Sequence, residues 1–340
     1  MRFQRIENPA SPDETEIASL FESGAESVIL QFSKSAAYDE QVLAKVNALC
    51  ERFGSRLNVR FYAHYGSDFD CQILRHIPSV RSLNIDCLMK ALHLEYLDEL
   101  AWLEEFAFGV FEADAPLLLK SRALTRLRRL ILAPTRKNNI DLAPLESYAQ
   151  LKELFVNGQT RDIDSIKTLP RLQKLSLGGI GKKTPLSFIK SIAPLKVLTY
   201  ILGGRLNVND LAHDGLEQLE ILRVLGLSEI NLALFPQLER LTVQDQLKLN
   251  ELDIRPLRKL QRLSIFNCKN LTNVVGIESA DSLESLRIGQ TNVDLDKTLN
   301  LLPTSVRALT LHSPRKAIDD KLQQRVASLA LPNAYYIGAP

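Results

Sequence analysis

LKELFVNGQTRDIDSIKTLPRLQKLSL, residues 151–177, carries one pattern twice: an apolar residue, two others, an apolar residue, one other, an apolar residue. The apolar positions are Leu151, Leu154 and Val156, then Leu172, Leu175 and Leu177. Apolar residues two apart mark the buried side of a strand, because successive side chains point to opposite faces. The connection between the two strands has its own apolar markers, Ile163, Ile166 and Leu169. With strand and turn accounted for, about ten residues remain for that return, enough for a short helix or a single helical turn.

The same signature opens at Val80, Leu103, Leu127, Leu151, Leu172, Leu195, Leu219, Leu238, Leu260, Leu283 and Val306, at intervals of 19 to 24 residues. A sustained period in that range marks a solenoid, in which each unit buries its apolar side only against its neighbours. Proline recurs shortly before strands, at Pro78, Pro170, Pro194, Pro236 and Pro303, where it disfavours helix in the residue before it and releases the chain into extended form. In register, the first, fourth and sixth positions face the core, and the third, fifth and seventh face the other way. The expected fold is α/β, a solenoid with a parallel β-sheet on one side and short helices or helical turns on the other, about 12 repeats plus caps.

Residues 1–55 depart from the period and read as an N-terminal α/β cap continuous with the solenoid. SVILQF (27–32) alternates as a strand, and YDEQVLAKVNALCERFG (38–54) places Val42, Leu43, Val46, Leu49, Cys50 and Phe53 on one helical face. LNVRFY (57–62) is the next strand, at the start of an array spanning 56–330. DDKLQQRVASLAL reads as a helix, and AYYIG, within 331–340, as a C-terminal cap strand.

The repeated LxxLxL strands with short returns resemble leucine-rich repeat proteins. IDLAPLESYAQLKELFV and RDIDSIKTLPRLQKLSL are similar to the short-repeat class of bacterial internalins and of the leucine-rich regulatory subunit of protein phosphatase 1. The resemblance implies a right-handed horseshoe with a concave parallel sheet, used mostly for protein recognition, and it suggests a bacterial protein. The family's ninth repeat position usually holds an asparagine that caps the turn. Here it holds Leu88, Phe111, Thr135, Gln159, Ile180, Gly203, Leu227, Gln246, Cys268 and Thr291. Without that ladder, turn geometry is expected to vary from repeat to repeat.

Composition narrows the function classes. The 42 basic and 40 acidic residues give a net charge of +2, so no global field favours nucleic acid or an anionic membrane. The N-terminus has acids where a signal peptide needs an apolar core, and no run approaches the roughly 18 apolar residues of a membrane span. A soluble, cytoplasmic protein without membrane contact is expected, and export without a cleaved signal peptide is compatible with the same sequence. Cys50, Cys71, Cys87 and Cys268 form no CxxC pair, and His64, His76, His93, His213 and His312 are scattered, so neither disulfides nor a metal site is expected. No nucleophile, acid/base pair, phosphate loop or cofactor motif can be assembled, so no catalytic residues are assigned and no enzyme is expected.

Outward positions from the Leu127 repeat through the Leu283 repeat carry Arg129, Lys174, Arg223, Arg240, Arg262 and Arg287, against Glu153 alone among acids. Arginine offers a planar fork to carboxylates. Glu220, Glu239 and Glu284, at neighbouring strand positions, are the candidates to neutralise these cations internally. Ile131, Phe155, Val197, Ile201, Ile221, Leu225 and Phe266 alternate outward among them, the composition of an interface anchor. The expectation is a non-enzymatic module whose concave sheet binds an acidic protein partner as scaffold, inhibitor or effector. The alternative is an anionic small molecule or polymer on the same arginines; nucleic acid is disfavoured because few aromatics flank them.

Overall fold

Alternation of apolar and polar residues becomes strand after strand in the computed structural model, which describes residues 2–313, 315–329, 331 and 333–334. The chain forms two compact units, Met1–Leu172 and Gln173–Pro340.

The first unit contains β1 (Phe3–Glu7), α1 (Glu14–Glu22), β2 (Ser27–Phe32), α2 (Glu40–Phe53) and β3 (Leu57–Ala63). The two-residue strands β4 (Phe69–Asp70) and β6 (Ala91–Leu92) alternate with β5 (Ser82–Cys87) and β7 (Glu105–Phe108), and β8 (Arg129–Leu132) and β9 (Glu153–Asn157) complete it. Its main sheet is wholly parallel, in the order β1-β2-β3-β5-β7-β8-β9. Strands β4 and β6 pair separately. Helix α2 is capped by the Asp39 carboxylate, which accepts from the Val42 amide at 2.8 Å, and it buries Leu43, Val46, Leu49 and Cys50. Val42 and Phe53, expected on the same face, are only half-buried. Strand β1 and helix α1 were not legible, because β1 buries none of its residues and α1 only Ile17.

The second unit holds β10 (Lys174–Gly178), β11 (Val197–Ile201), β12 (Gln218–Leu222), β13 (Arg240–Gln244), β14 (Glu251–Asp253), β15 (Arg262–Phe266), β16 (Asn273–Val275) and β17 (Ser285–Gly289). Helix α3 (Leu295–Asn300), β18 (Ala308–His312), α4 (Lys316–Ser328) and β19 (Asn333–Ala334) follow. The sheet runs β10-β11-β12-β13-β15-β17-β18-β19, again parallel, and β14 pairs with β16 on the return side. The expected last strand, AYYIG, lies largely outside the described residues; Asn333 and Ala334 pair with β18.

In both units most returns are short 3-10 turns, such as Ile163–Thr168 and Ser187–Ser191. This is the leucine-rich repeat architecture: parallel strands, short returns, and a core of the first, fourth and sixth positions. Leu151, Leu172, Leu175 and Leu177 are fully buried, and Leu154 is buried to within 2%.

One repeat is set differently from the sequence reading. LEQLEILRVL, residues 216–225, holds two overlapping signatures, one opening at Leu216 and one at Leu219. Leu219 pairs with Leu198 and Ile221 with Tyr200, so the repeat opens at Leu216, and the 24- and 19-residue intervals become 21 and 22. Ile221, expected outward, is therefore a core residue with no exposure. Arg223 and Leu225 lie beyond the strand, in the turn.

Turn geometry follows from this register. The eighth position is left-handed in seven successive repeats, at Gly158, Gly179, Leu202, Arg223, Asp245, Asn267 and Gln290. The expected variation appears in the first three repeats, whose eighth residues Cys87, Val110 and Pro134 do not adopt this conformation, and Ser313 in the last repeat does not adopt it either. Ninth-position side chains tie several turns back. Gln159 donates to Asn138 Oδ1 (3.1 Å), Gln246 to Ile221 O (3.2 Å), and the Cys268 thiol to Phe266 O (3.5 Å). Longer or softer donors take the place of asparagine.

Candidate interaction surface

Returns and buried leucines occupy one face of each sheet, and the third, fifth and seventh positions occupy the other. The two units differ in how charge on that uncovered face is arranged.

In the first unit the face carries a polar network bonded within the sheet, in which Asn58 Oδ1 is buried without a partner among the described residues. Arg60 forms a two-pronged ion pair with Asp86 and reaches Gln31 Oε1 at 3.3 Å. Gln31 in turn donates to Glu7, which also accepts from Tyr62 at 2.6 Å. Burial alone would raise the Glu7 carboxyl, but hydrogen bonds from Tyr62, Gln31 and Ser33, with the Arg60 charge, hold it below the ordinary carboxylate value. Asn58 donates to Ser82 (2.8 Å), and Ser82 to Glu105 (3.1 Å). Arg129 sits in register between Glu105 and Glu153, 3.7 and 3.6 Å away, so it is neutralised within its own sheet. Ile131 and Phe155 are register neighbours, both half-buried. The network lies upstream of the Leu127 repeat, outside the outward positions read from the sequence. The uniformly polar outward sets Asn58, Arg60, Tyr62 and Ser82, Asn84, Asp86 were its signal.

In the second unit the third positions run Lys174, Val197, Gln218, Arg240, Arg262, Ser285. Lys174, Arg240, Arg262 and Arg287 are exposed, and among the described residues none has a carboxylate within 4.0 Å. Arg240 and Arg262 are direct cross-strand partners. The glutamates expected to neutralise them do not. Glu220 accepts instead from Thr199 and Gln218, each at 2.9 Å, and neither Glu239 nor Glu284 forms an ion pair among the described residues. The Arg287 guanidinium lies 5.3 Å from the centre of the Phe266 ring, a cation–π contact that leaves its charge available. Val197 and Ile201 are half-buried on this face. Ile221 lies on the other face, and Leu225 is 79% exposed in the turn, so neither of these two residues, expected outward on the strand, joins Val197 and Ile201 on this face. Arg223, also in the turn, pairs with Asp245 at 3.2 Å.

Charge divides unevenly as well. Residues 1–172 hold 21 Lys and Arg against 24 Asp and Glu, whereas residues 173–340 hold 21 against 16. The near-neutral whole conceals a basic second unit.

A cysteine and a histidine do meet, in the first unit. Cys87 Sγ is 3.4 Å from His64 Nδ1, which also lies 2.8 Å from the Tyr62 carbonyl, while Nε2 is 2.9 Å from the Tyr38 hydroxyl. A proton on Nδ1 donated to Tyr62 O leaves Nε2 to accept from Tyr38, so the imidazole is committed to structural bonds. Burial pushes the Cys87 thiol up and the His64 imidazole down from their ordinary values, the reverse of what an activated thiolate needs. Among the described residues no helix is long and apolar enough to cross a membrane.

No family model matches the chain, and no curated protein matches it. Solved structures similar to it include an internalin, InlF, from Listeria monocytogenes, with 16% identity over 94% of this chain and 82% of that one and a TM-score of 0.47. The functional domain of InlJ from the same organism is 16% identical over 90% of this chain, with a TM-score of 0.46, and the chain spans 66% of its length. A leucine-rich repeat protein of Leptospira interrogans is 13% identical over 97% of this chain and 93% of that one, with a TM-score of 0.45. At such identities a likeness concerns fold alone.

Proposed function

We propose that the chain is a non-enzymatic protein-interaction module whose second unit binds an acidic protein surface on the uncovered face of its sheet. The supporting observation is the Arg240–Arg262 pair, two exposed cations placed directly opposite on neighbouring strands with no carboxylate of the described residues in reach. Like charges in that position destabilise a sheet, and an anionic partner relieves the repulsion. Lys174 and Arg287 extend the cationic area, while Phe266 and the half-buried Val197 and Ile201 supply apolar contact beside it. Arginine forks and aromatic rings are the usual composition of interface hot spots.

The test compares partner recovery by immobilised wild-type chain and by Arg240→Glu/Arg262→Glu, both shown folded by circular dichroism. A partner held by wild type and lost from the variant, with pairwise affinity that falls as salt rises, is the expected outcome. Identical recovery removes this face from consideration. Stabilisation by polyphosphate or heparin at low salt, with no protein partner recovered, would favour an anionic small molecule or polymer instead.

A further inference from the structure

We infer that the turn edge of the second unit is a separate docking surface for an anionic lipid bilayer. Four leucines stand out along the strand-to-return turns of three successive repeats: Leu202 (49% exposed), Leu206 (69%), Leu225 (79%) and Leu247 (55%). Their adjacency is built into the backbone. Gly204 bridges in parallel to Gly181 on one side and Leu225 on the other, the Leu225 amide donates to Gly203 O at 2.8 Å, and the Ser228 amide donates to Leu206 O at 3.0 Å. Leu225 and Leu247 share the tenth position of neighbouring repeats, whose strands are paired in register.

The backbone at Leu206 and Leu202 is held in place. Arg205, only 7% exposed, turns inward and is fixed by the Tyr200 hydroxyl (2.7 Å), Thr184 O (2.6 Å) and the Asp210 carboxylate. Anchored in this way, the turn presents Leu206 to solvent. Leu202 is held at φ +58°, a backbone conformation seldom adopted by a leucine. A contiguous set of exposed large apolar residues on a soluble surface marks an interaction site.

The charges beside the leucines select the partner. Exposed Lys182 and Lys183 flank the set on one side, and Lys248 and Lys269 on the other. Of the carboxylates on this edge, Asp245 is engaged by Arg223 and Asn267, and Asp210 by Arg205; Glu229, next to Leu206, is exposed. Cations ringing apolar side chains match a surface that is anionic outside and apolar just beneath, as at the headgroup–acyl boundary. Separate leucines at three turn tips would require matching pockets from a rigid protein, whereas acyl chains accommodate each one independently.

The experiment is flotation of the full chain with vesicles of phosphatidylcholine alone and of phosphatidylcholine mixed with phosphatidylserine. Wild type is expected to float with the anionic vesicles only, and less as salt rises. Leu206→Ser/Leu225→Ser, at exposed positions where the fold is kept, should partition about tenfold more weakly. Arg240→Glu/Arg262→Glu, on the sheet face, should keep more of its vesicle binding than the leucine variant, which separates this surface from the protein-binding one. Absence of wild-type flotation at low salt overturns the inference. So does equal partition of the leucine variant, because purely electrostatic adsorption would not need the leucines.

Discussion

His64 illustrates how a single residue's environment decides its chemistry. It is 1% exposed, between the Tyr38 hydroxyl, the Tyr62 carbonyl and Cys87. Burial holds its imidazole below the ordinary value of 6.5. The unfolded chain therefore binds a proton at mildly acid pH that the folded chain does not, and stability rises with pH in that range. The contribution is complete above 6.5 and is lost as pH falls towards the folded value. Urea unfolding at about pH 7.5 and about pH 5.5 should show wild type losing more stability than His64→Gln, since glutamine carries no titrating ring. Equal losses would mean that His64 does not contribute to the pH dependence. The sequence could show that this histidine lacked a metal-spaced partner, but not that it met Cys87, because that contact depends on the pairing of β3 with β5.

Strand β12 shows what the element scale adds to a periodic sequence. Both signatures in LEQLEILRVL satisfy the apolar pattern, so local reading is degenerate there. Two signals could have separated them: even intervals of 21 and 22 residues, and the alignment of Arg223 with the eighth-position slot that holds Gly158 and Gly179 in earlier repeats. A shift of an odd number of positions exchanges the faces of a strand, which is why Ile221 is a core residue and not an outward one. Elsewhere the period placed core leucines and outward arginines correctly; it could not show which arginines find carboxylates, because Arg129 is neutralised by residues on two other strands. The register makes a sharp prediction. Ile221→Asp buries a carboxylate without a partner and should abolish the cooperative thermal transition, a loss of several kcal/mol. Leu222→Asp, half-exposed one residue along, should retain that transition. The opposite ranking would restore the register that opens at Leu219.

Across the whole molecule the same repeat carries two opposite treatments of charge. In the first unit Arg60 and Arg129 are enclosed by carboxylates of neighbouring strands, as a sheet optimised for its own stability would arrange them. In the second, Arg240 faces Arg262 with no acid of the described residues in reach, so the sheet retains a repulsion that an internal partner would remove. If that repulsion is retained for binding, relieving it should stabilise the protein while weakening the interaction, the usual trade between stability and function. Arg240→Gln is accordingly expected to raise unfolding free energy by about 0.2–1 kcal/mol at low ionic strength, and screening should erase the gain in high salt. Arg60→Gln should act in the other direction, because it strands the Asp86 carboxylate and breaks a part-buried network; a loss of about 1–3 kcal/mol is expected. Denaturant titrations of both variants at two salt concentrations provide the measurement. If Arg240→Gln destabilises the protein as Arg60→Gln does, the arginines of the second unit are structural, and the case for an acidic partner loses its physical basis.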